Sequence, residues 1–344
     1  MARIVMADDG IAFDGVSLAT GPLGGAETAF GSLAEAFARR GHDVSVRNHC
    51  TNPGRQYGVD WQPIESGVPD NADLYIANRG DKLIPLMPRA RRTAFWIHNP
   101  ARYLLKPRYL AKLWRVRPPI VFSGAWHRAT YPWWAPSGPR IVIPYGISEA
   151  FREAPPPSNK PPPRAIFTSN PLRGLAWLLD LWARRIRPAR PNAELHVFSG
   201  PATYGAHGAA KSAEMRAVLD RAAGMAADGV VLRQPVAKAA LAAEFAASRV
   251  MLYRGDPGET FCLAVGEAQA AGVPCVVTDI GCVAERVIDG VTGCIARDDE
   301  RFAAASVALL GDDALWRRQS EAAIRLQRGW GWDDAAAAFE RLIP

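Results

Sequence analysis

Arg3-Ile-Val-Met-Ala7 runs into Asp8-Asp9-Gly10, and a glycine-rich loop follows, Gly21-Pro-Leu-Gly24-Gly25-Ala26-Glu27-Thr28. A short apolar run that ends on acidic residues and a glycine reads as a buried strand opening into a loop. Beyond the loop, Phe30, Leu33, Ala34 and Phe37 recur at i, i+3, i+4 and i+7, the spacing that lines one helix face. Gly41 stands where a C-terminal cap belongs. Asp43-Val-Ser-Val-Arg47 is the next strand. Strand, loop, helix and strand in succession make a βαβ unit, which demands a parallel sheet. The same pattern predicts strands over Leu74–Ala77, Thr93–Ile97, Ile120–Phe122 and Arg140–Ile143.

Pro155-Pro-Pro-Ser-Asn-Lys-Pro-Pro-Pro163 interrupts the alternation. Six prolines in nine residues remove backbone donors and fix φ, so the stretch reads as a stiff spacer. The alternation then restarts. Strands are predicted at Ala165–Ser169, Glu194–Ser199, Val230–Arg233, Val250–Tyr253 and Cys275–Asp279, and helices at Gly174–Arg185, Ser212–Ala223, Ala237–Ala247 and Leu263–Ala271. The expected organisation is two doubly wound α/β domains, 1–147 and 165–328, joined by a linker over 148–164 and followed by a terminal segment, 329–344. A ligand belongs between the domains, at the carboxyl ends of the strands.

The 344 residues, 49% apolar and 22% charged, have the balance of a globular enzyme of two domains. No stretch approaches the roughly 18 apolar residues of a spanning helix, and the first residues turn acidic too soon for a signal peptide. Cys50, Cys262, Cys275, Cys282 and Cys294 are an odd count without a Cys-x-x-Cys pair, which reads as reduced thiols with neither a disulfide framework nor a zinc site. A cytoplasmic protein is expected.

Charge is unevenly placed. From Lys82 to Ser148 there is no Asp or Glu but twelve Lys and Arg, so a net charge of +7 leaves −5 for the remainder. This predicts a cationic surface with an anionic partner. Within it Tyr109, Leu110, Leu113 and Trp114 form one apolar stripe beside Arg108, Lys112, Arg115 and Arg117. Such a helix can lie on an anionic membrane surface. A helix docked on the core with its cations in water has the same pattern. No nucleic-acid-binding module accompanies the charge, so nucleic acid is not an expected partner.

The most specific segment is Gly258-Glu259-Thr-Phe261-Cys262-Leu263-Ala264-Val-Gly-Glu267-Ala-Gln-Ala-Ala-Gly272-Val-Pro274. Glu259 falls in a loop after a strand and Glu267 inside a short helix. The helix start offers unpaired N–H groups and the positive dipole end, which suit a diphosphate without a metal. Carboxylates on either side can take hydroxyls. A surface loop followed by an ordinary Ala-rich helix is the plain alternative.

The spacing from Glu259 to Glu267, the following Ala-Gln-Ala-Ala-Gly-Val-Pro, the turn at Ile280-Gly281, Glu285 and Gly290–Gly293 resemble the signature of family-4 retaining glycosyltransferases with the GT-B fold. Gly24-Gly25-Ala26-Glu27 looks like that family's donor-phosphate loop, Ile143-Pro-Tyr-Gly146-Ile like its interdomain crossover, and Phe198-Ser-Gly200-Pro201 like its nucleotide-side loop. Gly329-Trp-Gly-Trp332-Asp-Asp looks like the start of the last helix, which returns to the N-terminal domain. The resemblance implies two Rossmann-like domains facing each other across a cleft, the first on the acceptor side and the second binding the nucleotide sugar. It gives donor-sugar hydroxyls to Glu259, the ribose to Glu267, and the diphosphate to the backbone of Phe261, Cys262, Leu263 and Ala264. Gly24, Gly25, Ser169 and Gly200 would complete the donor site. The family's Arg-x-x-x-x-Lys pair is incomplete, since Ser169-Asn170-Pro-Leu-Arg173-Gly174 keeps Arg173 for the lysine and lacks the arginine. Arg173 is a better phosphate fork than lysine, although a surface arginine at a helix start looks the same.

His98, in Trp96-Ile-His98-Asn99-Pro, follows a buried strand. A lone histidine is usually structural; the family carries one after the corresponding strand, near the donor sugar, where it would hydrogen-bond the sugar or polarise the reacting region. No Asp-x-Asp occurs, so the diphosphate is not expected to be held through a divalent cation, and no metal or cofactor is implied. Adjacent acidic pairs such as Asp298-Asp299, Asp312-Asp313 and Asp333-Asp334 read as caps, as does Asp8-Asp9.

The expected function is transfer of a hexose-type sugar, with retention, from a UDP- or GDP-linked donor to a hydroxyl of a glycan or glycolipid, as in bacterial polysaccharide or lipopolysaccharide assembly. Glu259, His98 and Arg173 are the expected catalytic residues. A sugar-nucleotide epimerase of the same fold is the alternative enzyme, though no acid/base pair for it is legible. A non-catalytic nucleotide-sugar-binding protein is the alternative outside enzymes. The expected location is cytoplasmic, including the inner face of the plasma membrane.

Overall fold

β1 (Arg3–Asp8) is buried along all but its first residue, as its unbroken apolar run requires of a central parallel strand. Around it, in a computed structural model that describes residues 1–21, 23–157, 160–200 and 211–344, β2 (Asp43–Asn48), β3 (Gly54–Gln56), β4 (Val59–Pro63), β5 (Leu74–Asn78), β6 (Thr93–Trp96), β7 (Ile120–Phe122) and β8 (Arg140–Val142) form one sheet. Pro22, Ser158, Asn159 and Pro201 lie outside the described residues. The strand order is β3-β4-β2-β1-β5-β6-β7-β8, parallel except where β3 runs against β4. That hairpin has no counterpart in the predicted strands. Its turn residues, Tyr57 and Gly58, both hold positive φ (48° and 83°), the geometry that suits a two-residue hairpin, and tyrosine disguises it in the sequence.

This sheet belongs to a unit made of Met1–Gly146 and Gly331–Pro344. The helix Trp332–Glu340 sets Phe339 against Phe37 and Trp96, with ring centroids 6.2 and 5.3 Å apart. Arg40 holds Glu340, and Arg39 reaches Asp333 at 2.9 Å. At Gly146 a Cβ would stand 2.3 Å from the backbone nitrogen of Trp332, so only glycine admits the closing segment.

The second unit is Ile147–Trp330. Its sheet, all parallel, is ordered β11-β10-β9-β12-β13-β14, from β9 (Arg164–Phe167), β10 (Glu194–Phe198), β11 (Val230–Arg233), β12 (Val250–Tyr253), β13 (Cys275–Thr278) and β14 (Gly293–Ala296). The stretch 148–164, read from its prolines as a spacer, is part of this unit. A short helix, Glu149–Arg152, buries Phe151 against Phe245 at 5.7 Å. The carbonyls of Ala154 and Pro161 accept from Arg328 and Arg249. Prolines remove donors, not acceptors, and two arginines distant in sequence use the acceptors.

The acidic pairs divide by context. Asp298 accepts from Arg301 N, and Asp312 from Ala314 N and Leu315 N, capping Asp299–Gly311 and Asp313–Gln327. Asp334 accepts from Gly331 N at 2.7 Å. Asp8 is no cap: it is fully buried and ion-paired with Arg79. The helix Pro107–Val116 docks Tyr109 and Leu113 into the first unit's core and leaves Trp114 67% exposed. Its Arg108 and Lys112 both pair with Asp81, one residue outside the stretch that lacks acids. Half of the expected apolar stripe is therefore core, and two of its four cations are answered within the fold. No helix among the described residues is long and apolar enough to cross a membrane.

Candidate functional site

In a doubly wound sheet the chain reverses its direction of winding at one point, and the strand ends there leave a crevice. In the second unit that point lies between β9 and β12. The loop after β9 carries Ser169, Asn170 and Arg173; the loop after β12 carries Glu259. Asn170 Oδ1 accepts from Leu172 N at 2.9 Å and its carbonyl from Arg173 N, and Gly174 takes a left-handed φ of 83°. This tight turn delivers Arg173 Nη1 to Glu259 Oε2 at 2.7 Å, where Tyr253 also donates its hydroxyl at 2.5 Å. Burial, and then the Glu259 carboxylate, push the Tyr253 pKa well above the ordinary tyrosine value, so it stays a donor. Ser199 donates to the Ser169 carbonyl at 2.7 Å, and Gly200 is buried beside Pro235.

Glu259 N donates to the Asp256 carbonyl, forming a turn that Gly281 approaches so closely that a Cβ there would lie 2.4 Å from the Asp256 oxygen. The turn ends at Cys262, which caps the helix Leu263–Ala270 from a left-handed backbone (φ 65°, ψ 70°) and provides no side-chain cap. The first turn of that helix holds no acid, so its amide donors and positive dipole end meet no countercharge of their own. Glu267, 7% exposed, points from the same helix to Lys238 Nζ at 2.6 Å, and Lys238 lies over the Phe151 ring. Phe261, Leu263 and Ala264 flank the cap. The motif therefore lies at a strand-end crevice with an uncapped helix start between two carboxylates, each already paired with a cation.

The first unit has its own switch point, between β1 and β5, occupied by a buried polar chain. Asn78 Nδ2 donates to Asp8 Oδ1 at 2.7 Å, and Arg79 donates to Asp8 and, at 2.8 Å, to Glu27. Arg79 holds a left-handed φ of 47°, a strained position for a side chain of its size. Glu27 Oε2 lies 2.5 Å from where a Gly24 Cβ would stand. Gly24 caps the helix Gly25–Arg39 without a side chain.

His98 joins this chain. Because Asn78 presents its oxygen to the ring, His98 Nε2 carries the proton and donates at 2.6 Å, which leaves Nδ1 to accept from the Tyr145 hydroxyl. Burial and the Arg79 charge hold its pKa well below the ordinary histidine value, so the ring is neutral. Both nitrogens are thus committed within the first unit, and the geometry suits a positioning role more than a proton shuttle.

Asp8, Asn78, Arg79, Tyr253 and Lys238 were not among the candidates read from the sequence. Asp8 and Tyr253 end strands, a position that offered a signal; Lys238 offered none, because its partner Glu267 is set by folding.

Residues 163–312 match the family described as "Glycosyl transferases group 1". A D-inositol 3-phosphate glycosyltransferase of Streptomyces avermitilis is 35% identical over 170 residues, which are 48% of this chain and 34% of that one. The chain spans about a third of the length of the curated relatives it matches. Among solved structures, sucrose-phosphate synthase from Thermosynechococcus elongatus superposes with a TM-score of 0.72 at 16% identity over 99% of this chain and 98% of that one. HepE from Anabaena, solved with UDP and glucose, does so with 0.72 at 14% identity over 99% of each. The chain therefore has the GT-B fold, and its residues 163–312 are similar to the group 1 glycosyl transferases.

Proposed function

We propose that the protein is a retaining glycosyltransferase that moves a hexose-type sugar from a nucleoside diphosphate donor, UDP- or GDP-linked, to an acceptor hydroxyl of a glycan or glycolipid. The observation that carries the reading is the second unit's switch point. There the uncapped start of Leu263–Ala270 stands between Glu259 with Arg173 and Glu267 with Lys238. When sugar and ribose hydroxyls donate to the two carboxylates, Arg173 and Lys238 are released toward the diphosphate. The ion pairs thus store the site's positive charge until an anion arrives. Glu259 stabilises positive charge developing on the sugar; Arg173 and the helix start stabilise the departing diphosphate. The acceptor attacks from the same face, with no protein nucleophile. His98 acts as a neutral positioning ring, and Gly24 opens a second helix start without a side-chain cap, in the first unit. No metal is required, because the sequence lacks the Asp-x-Asp pair that holds one. Structural neighbours solved with UDP or a UDP-sugar support a uridine donor first.

Calorimetric titration with UDP, GDP and ADP, followed by labelled nucleotide sugars with a panel of acceptors, tests the reading. Product whose anomeric configuration matches the donor's supports it; failure of all three nucleotides to bind sinks it. Interconversion of the donor sugar without transfer favours the epimerase, and tight binding without turnover favours a binding protein.

The acceptor side of the reading includes an anionic membrane surface. It is supported by three exposed tryptophans, Trp114, Trp133 and Trp134, in a stretch that holds the exposed Arg115 and Arg117 and no acid. Co-flotation with phosphatidylglycerol vesicles at low salt tests it. Protein that stays with the soluble fraction overturns it.

A further inference from the structure

Two arginines of the second unit carry an Nε with little or no access to solvent, and the fold treats them differently. Arg249, 2% exposed, is answered on every side. Its Nε donates to the Pro161 carbonyl at 3.0 Å, Nη1 to the Leu310 carbonyl at 3.0 Å, and Nη2 to Asp313. That is the pattern of a structural arginine, in which every donor has an acceptor. Arg286 has the opposite pattern. Its Nε is sealed from solvent and meets no hydrogen-bond partner, and among the described residues no carboxylate, Glu285 beside it included, forms an ion pair with it. Burial lowers its pKa from the ordinary arginine value, with Cys282, Glu285 and Cys262 acting the other way. A guanidinium whose sealed Nε has no acceptor is costly to the fold, and folds retain one where something else supplies the acceptor.

Its position indicates what that is. Arg286 ends the turn Val283–Arg286 that follows Gly281, and its guanidinium carbon lies 4.4 Å from the centre of the Phe261 ring. Phe261 immediately precedes Cys262, the residue that opens the Leu263–Ala270 helix without a side-chain cap. A guanidinium with an unpartnered Nε thus packs on the ring of Phe261, two residues before a helix that has no side-chain cap. The neighbouring cations cannot fill the role unaided, because Arg173 and Lys238 are held by Glu259 and Glu267.

We propose that Arg286 is a phosphate-binding residue of the donor site, held without an acceptor so that an anionic oxygen of a nucleoside diphosphate completes its hydrogen bonds. The inference rests on the reading of the site given above and names a cation for the one that Ser169–Arg173 lacks. The planar fork suits two oxygens of one phosphate or one from each. A structural arginine that is removed destabilises the free protein; this one, removed with its hydrocarbon stem preserved, relieves a penalty.

Arg286→Met keeps the stem over Phe261 and removes the charge. The full-length variant is titrated with UDP, GDP, uridine and inorganic pyrophosphate, and its melting temperature is recorded with and without each. The expected result is a loss of about 10- to 100-fold in affinity for the preferred nucleoside diphosphate. Uridine affinity stays unchanged, and the ligand-free melting temperature is equal to or above that of wild type. Arg286→Lys should restore part of the loss. If Arg286→Met instead binds the nucleoside diphosphate as wild type does, or melts lower in the free state with affinity intact, the residue is structural and the inference fails. Should Arg286→Met not fold, Arg286→Lys decides by the same affinity comparison. Wild-type protein that binds pyrophosphate but no nucleotide, with Arg286→Met blind to pyrophosphate, would remove the donor reading and keep the anion site. Wild-type protein that binds neither removes both.

Discussion

Arg173 donates to Glu259 at 2.7 Å, so the cation expected to serve a phosphate and the carboxylate expected to serve a sugar hydroxyl hold each other. The pair joins the loops after β9 and β12, and the Tyr253 hydroxyl shares the carboxylate. A donor that binds there exchanges this pair for contacts to its own groups. Glu259→Gln should therefore leave UDP or GDP affinity unchanged or stronger, since Arg173 is released. Turnover should fall by about 100-fold, because charge developing on the sugar loses its counterion. A parallel loss of affinity and turnover would contradict this exchange.

Glu267→Ala removes a carboxylate whose proposed partner is the ribose. Nucleoside diphosphate affinity should drop by the value of a charge-assisted hydrogen bond, about 1.5–3 kcal/mol. Pyrophosphate affinity should hold or improve as Lys238 is freed. An unaltered UDP or GDP dissociation constant in calorimetry would remove Glu267 from the site.

Transfer should persist in excess chelator, since helix-end and guanidinium donors replace the metal in the proposed mechanism. Activity lost with EDTA and regained with manganese would refute that.

Cys262 opens its helix from a left-handed backbone at φ 65°, a conformation costing a non-glycine residue roughly 1–2 kcal/mol. Cys262→Gly and Cys262→Ala both remove the thiol, so the difference between them isolates the backbone. The glycine variant should be more stable by about 1 kcal/mol in urea unfolding. Equal stabilities would show that the strain is absorbed elsewhere.

Glu35, in the helix Gly25–Arg39, has its pKa raised from 4.5 to about 7 by burial, partly offset by Arg39. The folded state holds the proton that the unfolded chain releases near 4.5, so stability falls as pH rises from there to 7. Glu35→Gln removes this penalty. Its melting temperature should exceed that of wild type at pH 8 and match it at pH 4.5. A gain equal at both values would assign the effect to something other than ionisation.

Much of the fold was legible, because burial leaves a local record. Val250–Tyr253 reads as a strand since a strand covered on both faces must be apolar throughout, and Asp298 and Asp312 read as caps since a cap's partner lies two or three residues away. The β3–β4 hairpin was not legible, because Tyr57 occupies a position where glycine or asparagine would have announced the turn. The contacts of the stretch 148–164 were not legible for a related reason. Proline reports what the backbone lacks locally and says nothing of Arg249 or Arg328, which bond from afar to the carbonyls of Pro161 and Ala154.

By itself the sequence determined the alternation of strand and helix, hence two parallel sheets, and it placed Glu259 on a loop and Glu267 on the helix that follows. Only the tertiary structure decided which charges meet. Arg173 and Glu259 are 86 residues apart, Arg79 and Asp8 71, and Lys238 and Glu267 29. The physical reason is that periodicity encodes which face of an element turns inward, a property of neighbouring residues. Ion pairing at a strand-end crevice depends instead on which strands lie side by side. That adjacency, β9 against β12 and β1 against β5, is created where the winding of each sheet reverses, and no local spacing records it.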